Sequence, residues 1–270
     1  MVIEGSSVLS VVTPVLNAER YIDCCVHSVL SDNIPVEQIV VDGCSNDGTY
    51  EKLIALKTIY GDRLKIIRGK DNSMTEALQK GILNSCGTYL APLNADDYYS
   101  TNTLSGVVQL LTRERPSFLV AQSNVVEEKG RLRYLKRPWI APHRFAWLAL
   151  GCITPECGVF FSRAAYEEVG GYDAKFHYAQ DYDLYLRLLK RFRAVYYPVA
   201  VGNFRISNSS ISYTKREVLL AELERVHPLG RVASFTHRWR IIQLIRLIFG
   251  VEKRNESVFE LFQRKIVKEP

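Results

Sequence analysis

The feature that most constrains this chain is the rhythm of its first third, where short apolar runs alternate with stretches of helical period. Val8-Leu9-Ser10-Val11-Val12, Gln38-Ile39-Val40-Val41, Leu64-Lys65-Ile66-Ile67 and Tyr89-Leu90-Ala91-Pro92-Leu93 have the length and near-continuous apolarity of strands buried on both faces. Between them, 18–30 places Ile22, Val26, Val29 and Leu30 on one helical stripe. Residues 49–60 do the same with Leu53, Leu56 and Tyr60, and 73–86 with Met74, Ala77, Leu78 and Ile82. A helix-length link between two strands of one sheet returns the chain in the same direction, so this alternation predicts parallel βαβ units. The predicted class is α/β, a Rossmann-like, mostly parallel sheet flanked by helices. Ligands of such sheets bind beyond the carboxyl ends of the strands. Attention therefore falls on 13–17, 42–48, 69–73 and 94–98, all rich in polar and turn-forming residues.

The second half is less regular. Residues 125–134 read as a hairpin turning at Lys129-Gly130, 142–150 as a helix, 159–161 as a strand, 181–191 as a helix and 202–212 as a polar loop. With 47% hydrophobic and 24% charged residues over 270 positions, the chain is globular rather than disordered, and long enough for one sizeable core. A catalytic domain is expected over 1–212, followed by a helical, basic, amphipathic extension over 213–270. The first residues lack the basic and apolar stretches of a signal peptide, and no apolar run reaches the ~18 residues of a membrane span. The six cysteines form no CxxC pair. They are expected to be small buried hydrophobes, Cys24, Cys25 and Cys86 among them, suited to a reducing cytoplasm.

The net charge of +6 is uneven, because residues 225–270 hold ten basic and four acidic side chains and the remainder is neutral. Within that tail, Ile241, Leu244, Ile245, Ile248 and Phe249 share a helical face, with Arg240, Gln243 and Arg246 opposite. Two readings stand for 236–249: a helix lying on the inner face of the cell membrane, or one docked on the catalytic domain or on a second subunit of a homodimer. Basic residues concentrated in an apolar-striped tail rather than a groove argue against nucleic acid as a partner.

Three segments carry candidate chemistry. Asn94-Ala95-Asp96-Asp97 puts two neighbouring carboxylates at the ligand edge, where they repel unless a cation is near. Mg²⁺ or Mn²⁺ takes one or two carboxylates plus substrate phosphates, though a solvated Asp-Asp turn has the same sequence. Asp42 ends the second strand as an acceptor, while Asp47-Gly48-Thr49 fits a strand-to-helix turn with a helix cap. Asp181, in Ala179-Gln180-Asp181-Tyr182-Asp183, falls at a helix start, either as a plain cap or as a general base, and Asp183 in the first turn is structural.

The order of Thr13-Pro14-Val15-Leu16-Asn17, Val41-Asp42-Gly43-Cys44-Ser45-Asn46-Asp47-Gly48-Thr49, Gly69-Lys70-Asp71, Ala77-Leu78-Gln79-Lys80-Gly81, Leu93-Asn94-Ala95-Asp96-Asp97, Gly170-Gly171-Tyr172-Asp173 and Asp181-Tyr182-Asp183-Leu184-Tyr185-Leu186-Arg187 resembles the family 2 glycosyltransferases, which have the GT-A fold and invert configuration. The resemblance spans roughly residues 8 to 212 and implies a nucleoside-diphosphate sugar donor, of the UDP type, and a saccharide or lipid-linked saccharide acceptor. Thr13, Pro14, Asn17, Asp42, Ser45, Asp71 and Asp96 would bind the donor, Asp97 would ligate Mn²⁺ or Mg²⁺, and Asp181 would be the catalytic base. Leu16, Asn72-Ser73, Gln79 and Asn94 depart from the family pattern and bear on donor identity. A non-catalytic nucleotide-sugar-binding protein of the same fold is the alternative. A nucleotidyltransferase is disfavoured, because the loop after the first strand has neither glycine nor lysine.

Overall fold

The structure, a computed structural model, describes residues 7–138, 155–206 and 214–226. By compactness the chain divides into Met1–His227 and Pro228–Pro270, and every described residue belongs to the first unit. Its elements are β1 (Leu9–Val15), α1 (Ile22–Leu30), β2 (Val36–Asp42), α2 (Thr49–Tyr60), β3 (Leu64–Arg68), α3 (Met74–Leu83), β4 (Tyr89–Pro92), β5 (Tyr98–Tyr99), α4 (Thr103–Glu114), β6 (Phe118–Glu127), β7 (Leu132–Lys136), β8 (Val159–Ser162), α5 (Arg163–Glu168), α6 (Gln180–Arg191), β9 (Ala194–Ile206) and α7 (Arg216–Val226). The described strands form one sheet of nine in the order β3-β2-β1-β4-β8-β6-β9-β5, with β7 on β6. The expected parallel half is there: β1 runs parallel to β2 and β4, and β2 to β3. Beyond β4 the sheet is mixed, since β8 lies antiparallel to β4 and β6 while β9 runs parallel to β6.

The alternation of side chains in β1 divides the core between the two faces. Leu9 and Val11 pack with Ile22, Val26, Leu53 and Leu104, beneath α1, α2 and α4. Val12 packs with Leu78, Ile82, Leu184 and Leu188, beneath α3 and α6. Each such side chain, fully buried, stabilises the fold by roughly 1.5–3 kcal/mol. A Cβ at Gly81 would overlap Val12 Cγ1, so glycine is what lets α3 settle directly on the sheet.

Several expectations need correction. Residues 202–206, read as polar loop, are the last part of β9. Gly202 is required there because a Cβ would collide with the Cys157 carbonyl oxygen, and the Asn203 side chain accepts from Asn124 Nδ2 through Oδ1 at 3.0 Å and donates through Nδ2 to Ser100 Oγ at 2.9 Å. Tertiary partners thus override a loop-like composition. Cys24 and Cys86 are exposed, whereas Cys25 and Cys157 are buried. The inward stripe of α1 is Ile22, Cys25, Val26, Val29 and Leu30, and position 24 falls off it. The hairpin turning near Gly130 is β6–β7. Among the described residues no helix is long and apolar enough to cross a membrane. The expected helix at 142–150, the loop at 207–212 and the tail segment 236–249 lie outside the described residues.

Candidate active site

The carboxyl ends of the parallel strands carry most of the predicted residues. Asn17, at a φ of 55°, donates its backbone N–H to Ser45 Oγ at 2.9 Å and accepts from Asn46 N–H through its side-chain oxygen at 2.9 Å. Ser45 in turn donates its hydroxyl to Asp42 Oδ1 at 2.6 Å. The loops after β1 and β2 are therefore latched together. Asp42 is fully buried; Arg68 Nε lies 3.3 Å from its Oδ2, within ion-pair reach but without hydrogen-bond geometry, and that oxygen has no hydrogen-bond partner. Thr13 is buried and its hydroxyl accepts from Gln38 Nε2 at 2.9 Å, so this side chain is committed to the core. Pro14 lies beside it in β1, half-buried. The N-cap of the helix after β2 is Gly48, without a side-chain cap, and Asp47 ties the turn before it by accepting the Thr49 N–H at 3.0 Å. Asp71 pairs with Lys80 through Oδ1, while its Oδ2 is buried and unpartnered.

After β4 the chain turns tightly, Asp97 N–H donating to Asn94 O at 3.0 Å. β9 pins this turn: Arg205 N–H donates to Asp97 Oδ1 at 2.8 Å and Arg205 Nε to Asp96 O at 2.8 Å. Asp97 is 1% exposed and its Oδ2 has no partner. Burial first, then the neighbouring Asp96 charge, holds Asp97 well above the usual carboxylate range. Burial raises Asp96 as well.

Sequence reasoning missed Glu156. It opens the single turn Glu156–Gly158 ahead of β8, is 6% exposed, and leaves Oε1 without a partner. Burial first, then the charges of Asp181 and Asp96, pushes it up to about 8. Glu156 also acts on Asp97. Glu156 is thus within electrostatic reach of both the Asp-Asp turn and the start of α6. Asp181 is the second residue of α6; its Oδ1 accepts the Tyr182 N–H at 2.7 Å, and burial raises it to about 6. Asp183 is held by Arg187, Nε to Oδ2 at 2.9 Å, which is structural work. Gln180 Oε1 is a further buried, unpartnered oxygen beside Asp181.

Buried polar atoms are nearly always hydrogen-bonded, so the unpartnered oxygens on Asp42, Asp71, Asp97, Glu156 and Gln180 are open to a ligand, an ion or an ordered water. Glu156 yields a direct expectation. Its pKa rises from 4.5 to about 8 on folding, so the contribution of this one group to stability is complete below pH 4.5 and is lost as pH climbs through 8. The melting temperature of the ligand-free protein is expected to fall between pH 5 and pH 8, and Glu156→Gln to flatten that decline. Thermal unfolding across this range checks it; an unchanged slope in the variant would show that Glu156 is not the group responsible.

A sheet of this order, closed after its fourth strand by a buried acidic turn, is the GT-A glycosyltransferase fold. S. aureus TarS in complex with UDP-GlcNAc has it, at 16% identity and a TM-score of 0.66, covering 92% of this chain and 74% of that one. So does the mannosyltransferase PcManGT from Pyrobaculum calidifontis in complex with GDP-Man and Mn²⁺, at 18% identity and a TM-score of 0.61, covering 83% of this chain and 64% of that one. The chain belongs to glycosyl transferase family 2, whose model matches residues 10–170. It is 28% identical over 233 residues to a putative teichuronic acid biosynthesis glycosyltransferase, TuaG, of Bacillus subtilis, spanning 81% of this chain and 89% of that protein. It is 26% identical over 185 residues to a PGL/p-HBAD biosynthesis glycosyltransferase of Mycobacterium bovis, spanning 68% of this chain and 70% of that protein. An uncharacterized glycosyltransferase of Rickettsia conorii is 27% identical over 193 residues, which is 68% of this chain but only 32% of the rickettsial protein.

Proposed function

We propose that the protein is an inverting, metal-dependent glycosyltransferase. It would move a sugar from a nucleoside-diphosphate sugar, first of all a UDP-sugar, to a hydroxyl of a saccharide or lipid-linked saccharide during cell-surface polysaccharide or glycolipid synthesis. One observation carries the reading: Asp97, whose buried Oδ2 has no partner, and Asp181, at the start of α6, both lie within electrostatic reach of the buried Glu156. The names of the Bacillus and Mycobacterium relatives and the UDP-GlcNAc held by TarS support the substrate class.

The acids present fit a divalent ion. Among the described residues no group of three or more His, Cys, Asp or Glu side chains is arranged to hold a metal by itself. Asp97, through Oδ2, and Asp96 would hold Mn²⁺ or Mg²⁺ together with the diphosphate, the arrangement such ions favour. When bound, the ion neutralises the charge of the departing nucleoside diphosphate, so no protein acid is needed on that side. The protein's own step is proton transfer. Asp181 Oδ1 is occupied by the Tyr182 N–H, leaving Oδ2 to take the acceptor proton. The acceptor oxygen attacks the anomeric carbon from the face opposite the diphosphate, and the configuration inverts. Asn17, Asp42, Ser45 and Asp71 border the nucleoside end, where the latched loops would orient the base. The cytoplasmic face of the membrane is where such an enzyme would meet a lipid-linked acceptor.

Thermal unfolding with UDP, GDP and their sugars, each with and without Mn²⁺, tests the reading. A ligand at 100 times its Kd stabilises the folded form by about 2.7 kcal/mol. Stabilisation by one nucleoside diphosphate that requires Mn²⁺, followed by donor turnover, is the expected result. Mn²⁺-independent binding without turnover would instead identify a binding protein, and no stabilisation by any nucleotide would sink the proposal.

A further inference from the structure

We infer that Glu222, on α7, is a positioning residue for the Asp181 base. This rests on the function proposed above for Asp181. Glu222 lies beyond the 10–170 family match and beyond position 212, where the catalytic domain was expected to end. Its side chain is nonetheless buried, with the residue 6% exposed. Its carboxylate accepts from three consecutive backbone N–H groups: His177 at 3.0 Å to Oε1 and 3.1 Å to Oε2, Tyr178 at 2.8 Å to Oε2, and Ala179 at 2.9 Å to Oε2. Ala179 is the N-cap of α6 and has no side-chain cap of its own. Asp181 follows two residues later. Glu222 therefore does from another helix what a local capping side chain does, and fixes the direction in which α6 starts.

The same loop is held from its other side. Thr75 Oγ1 donates to Phe176 O at 2.5 Å and Gln79 Nε2 to Tyr172 O at 2.8 Å, both from α3. α3 rests on β1 through Gly81 and contributes Lys80 to Asp71. The segment 172–179 is thus clamped between α3 on the donor side and α7. Hydrogen bonds from backbone N–H to a carboxylate are charge-assisted and roughly twice as strong as neutral ones. Losing them leaves three backbone N–H groups, that of the buried Ala179 among them, to find other partners and frees the start of α6. A displacement of about 1 Å at a catalytic group costs on the order of 100-fold in rate.

The test compares wild type, Glu222→Ala and Glu222→Gln in sugar transfer and in amide hydrogen exchange at 177–182. Glu222→Ala is expected to lower kcat by about 10- to 100-fold with donor KM unchanged, to lose exchange protection at 177–179, and to regain part of kcat with added formate, a small carboxylate that fits the vacated N–H groups. Glu222→Gln, which keeps one acceptor oxygen, is expected to fall between. Wild-type kcat in both variants overturns the inference. So does a loss of kcat, donor affinity and melting temperature together, unrelieved by formate, which marks a purely structural residue. Should wild type itself transfer no sugar, the proposed function fails. Hydrogen exchange then decides the clamp alone, with unchanged protection in Glu222→Ala overturning it.

Discussion

Asp181→Asn is expected to lower kcat by about 10²- to 10⁴-fold while donor KM stays within twofold, because the substitution removes the proton acceptor and leaves the donor-side acids in place. The wild-type rate carries a matching pH signature. Asp181 is raised from 3.8 to about 6 by burial, so the base of the free enzyme is ionised above pH 6, and kcat/KM is expected to fall about tenfold per pH unit below it. Stability runs the other way. A carboxyl whose pKa is raised on folding gives its full contribution below its unfolded value, here 3.8, and loses it as pH passes 6. Asn cannot ionise, so the variant is expected to melt higher than wild type at pH 7 and level with it at pH 4. Rate profiles and melting curves of the pair check both halves. An Asp181→Asn enzyme with wild-type kcat would remove Asp181 from the chemistry.

Asp97→Asn is expected to abolish the stabilisation that Mn²⁺ brings to a bound nucleoside diphosphate, and to lower kcat/KM at least about 100-fold, since ion-assisted charge neutralisation is worth several kcal/mol and each 1.36 kcal/mol is tenfold. Asn is the informative substitution. Its side-chain carbonyl still accepts the Arg205 N–H now held by Oδ1, whereas Ala would strand that buried donor at about 1–3 kcal/mol. The neutral amide also relieves a buried carboxylate that burial and Asp96 keep from ionising easily, so the ligand-free variant is expected to melt higher than wild type at neutral pH. Melting curves with UDP and GDP, with and without Mn²⁺, provide the check. If Asp97→Asn retained the full ion-dependent shift, the cation would have to be held elsewhere.

The parallel half of the fold could be read from sequence because its information is local. Val11 and Val12 face opposite cores, and strict alternation along β1 encodes that. Asp97 and Asp181 were legible for a similar reason: each stands where a regular element begins or ends. Glu156 carries no such mark. It is one acid in a short turn, and its burial arises only in the fold, where the adjoining Cys157 is met by Gly202 from a segment far along the chain. Residues 202–206 look like loop for the same reason, since the partners of Asn203 come from β5, from Ser100 just after it and from β6. Glu222 sits in an ordinary helix, and only the fold brings His177, Tyr178 and Ala179 to it. Asp71 was foreseen at its loop, but its lysine partner nine residues on was not.

The chain of contacts from Asn17 through Ser45 to Asp42 has a consequence for engineering. The two turns, proposed above to border the nucleoside, behave as a single part, because either one alone leaves the other's hydrogen-bonding groups without their mates. A chimaera that replaces one turn with a relative's must therefore bring its counterpart as well, so that both ends of each hydrogen bond arrive together.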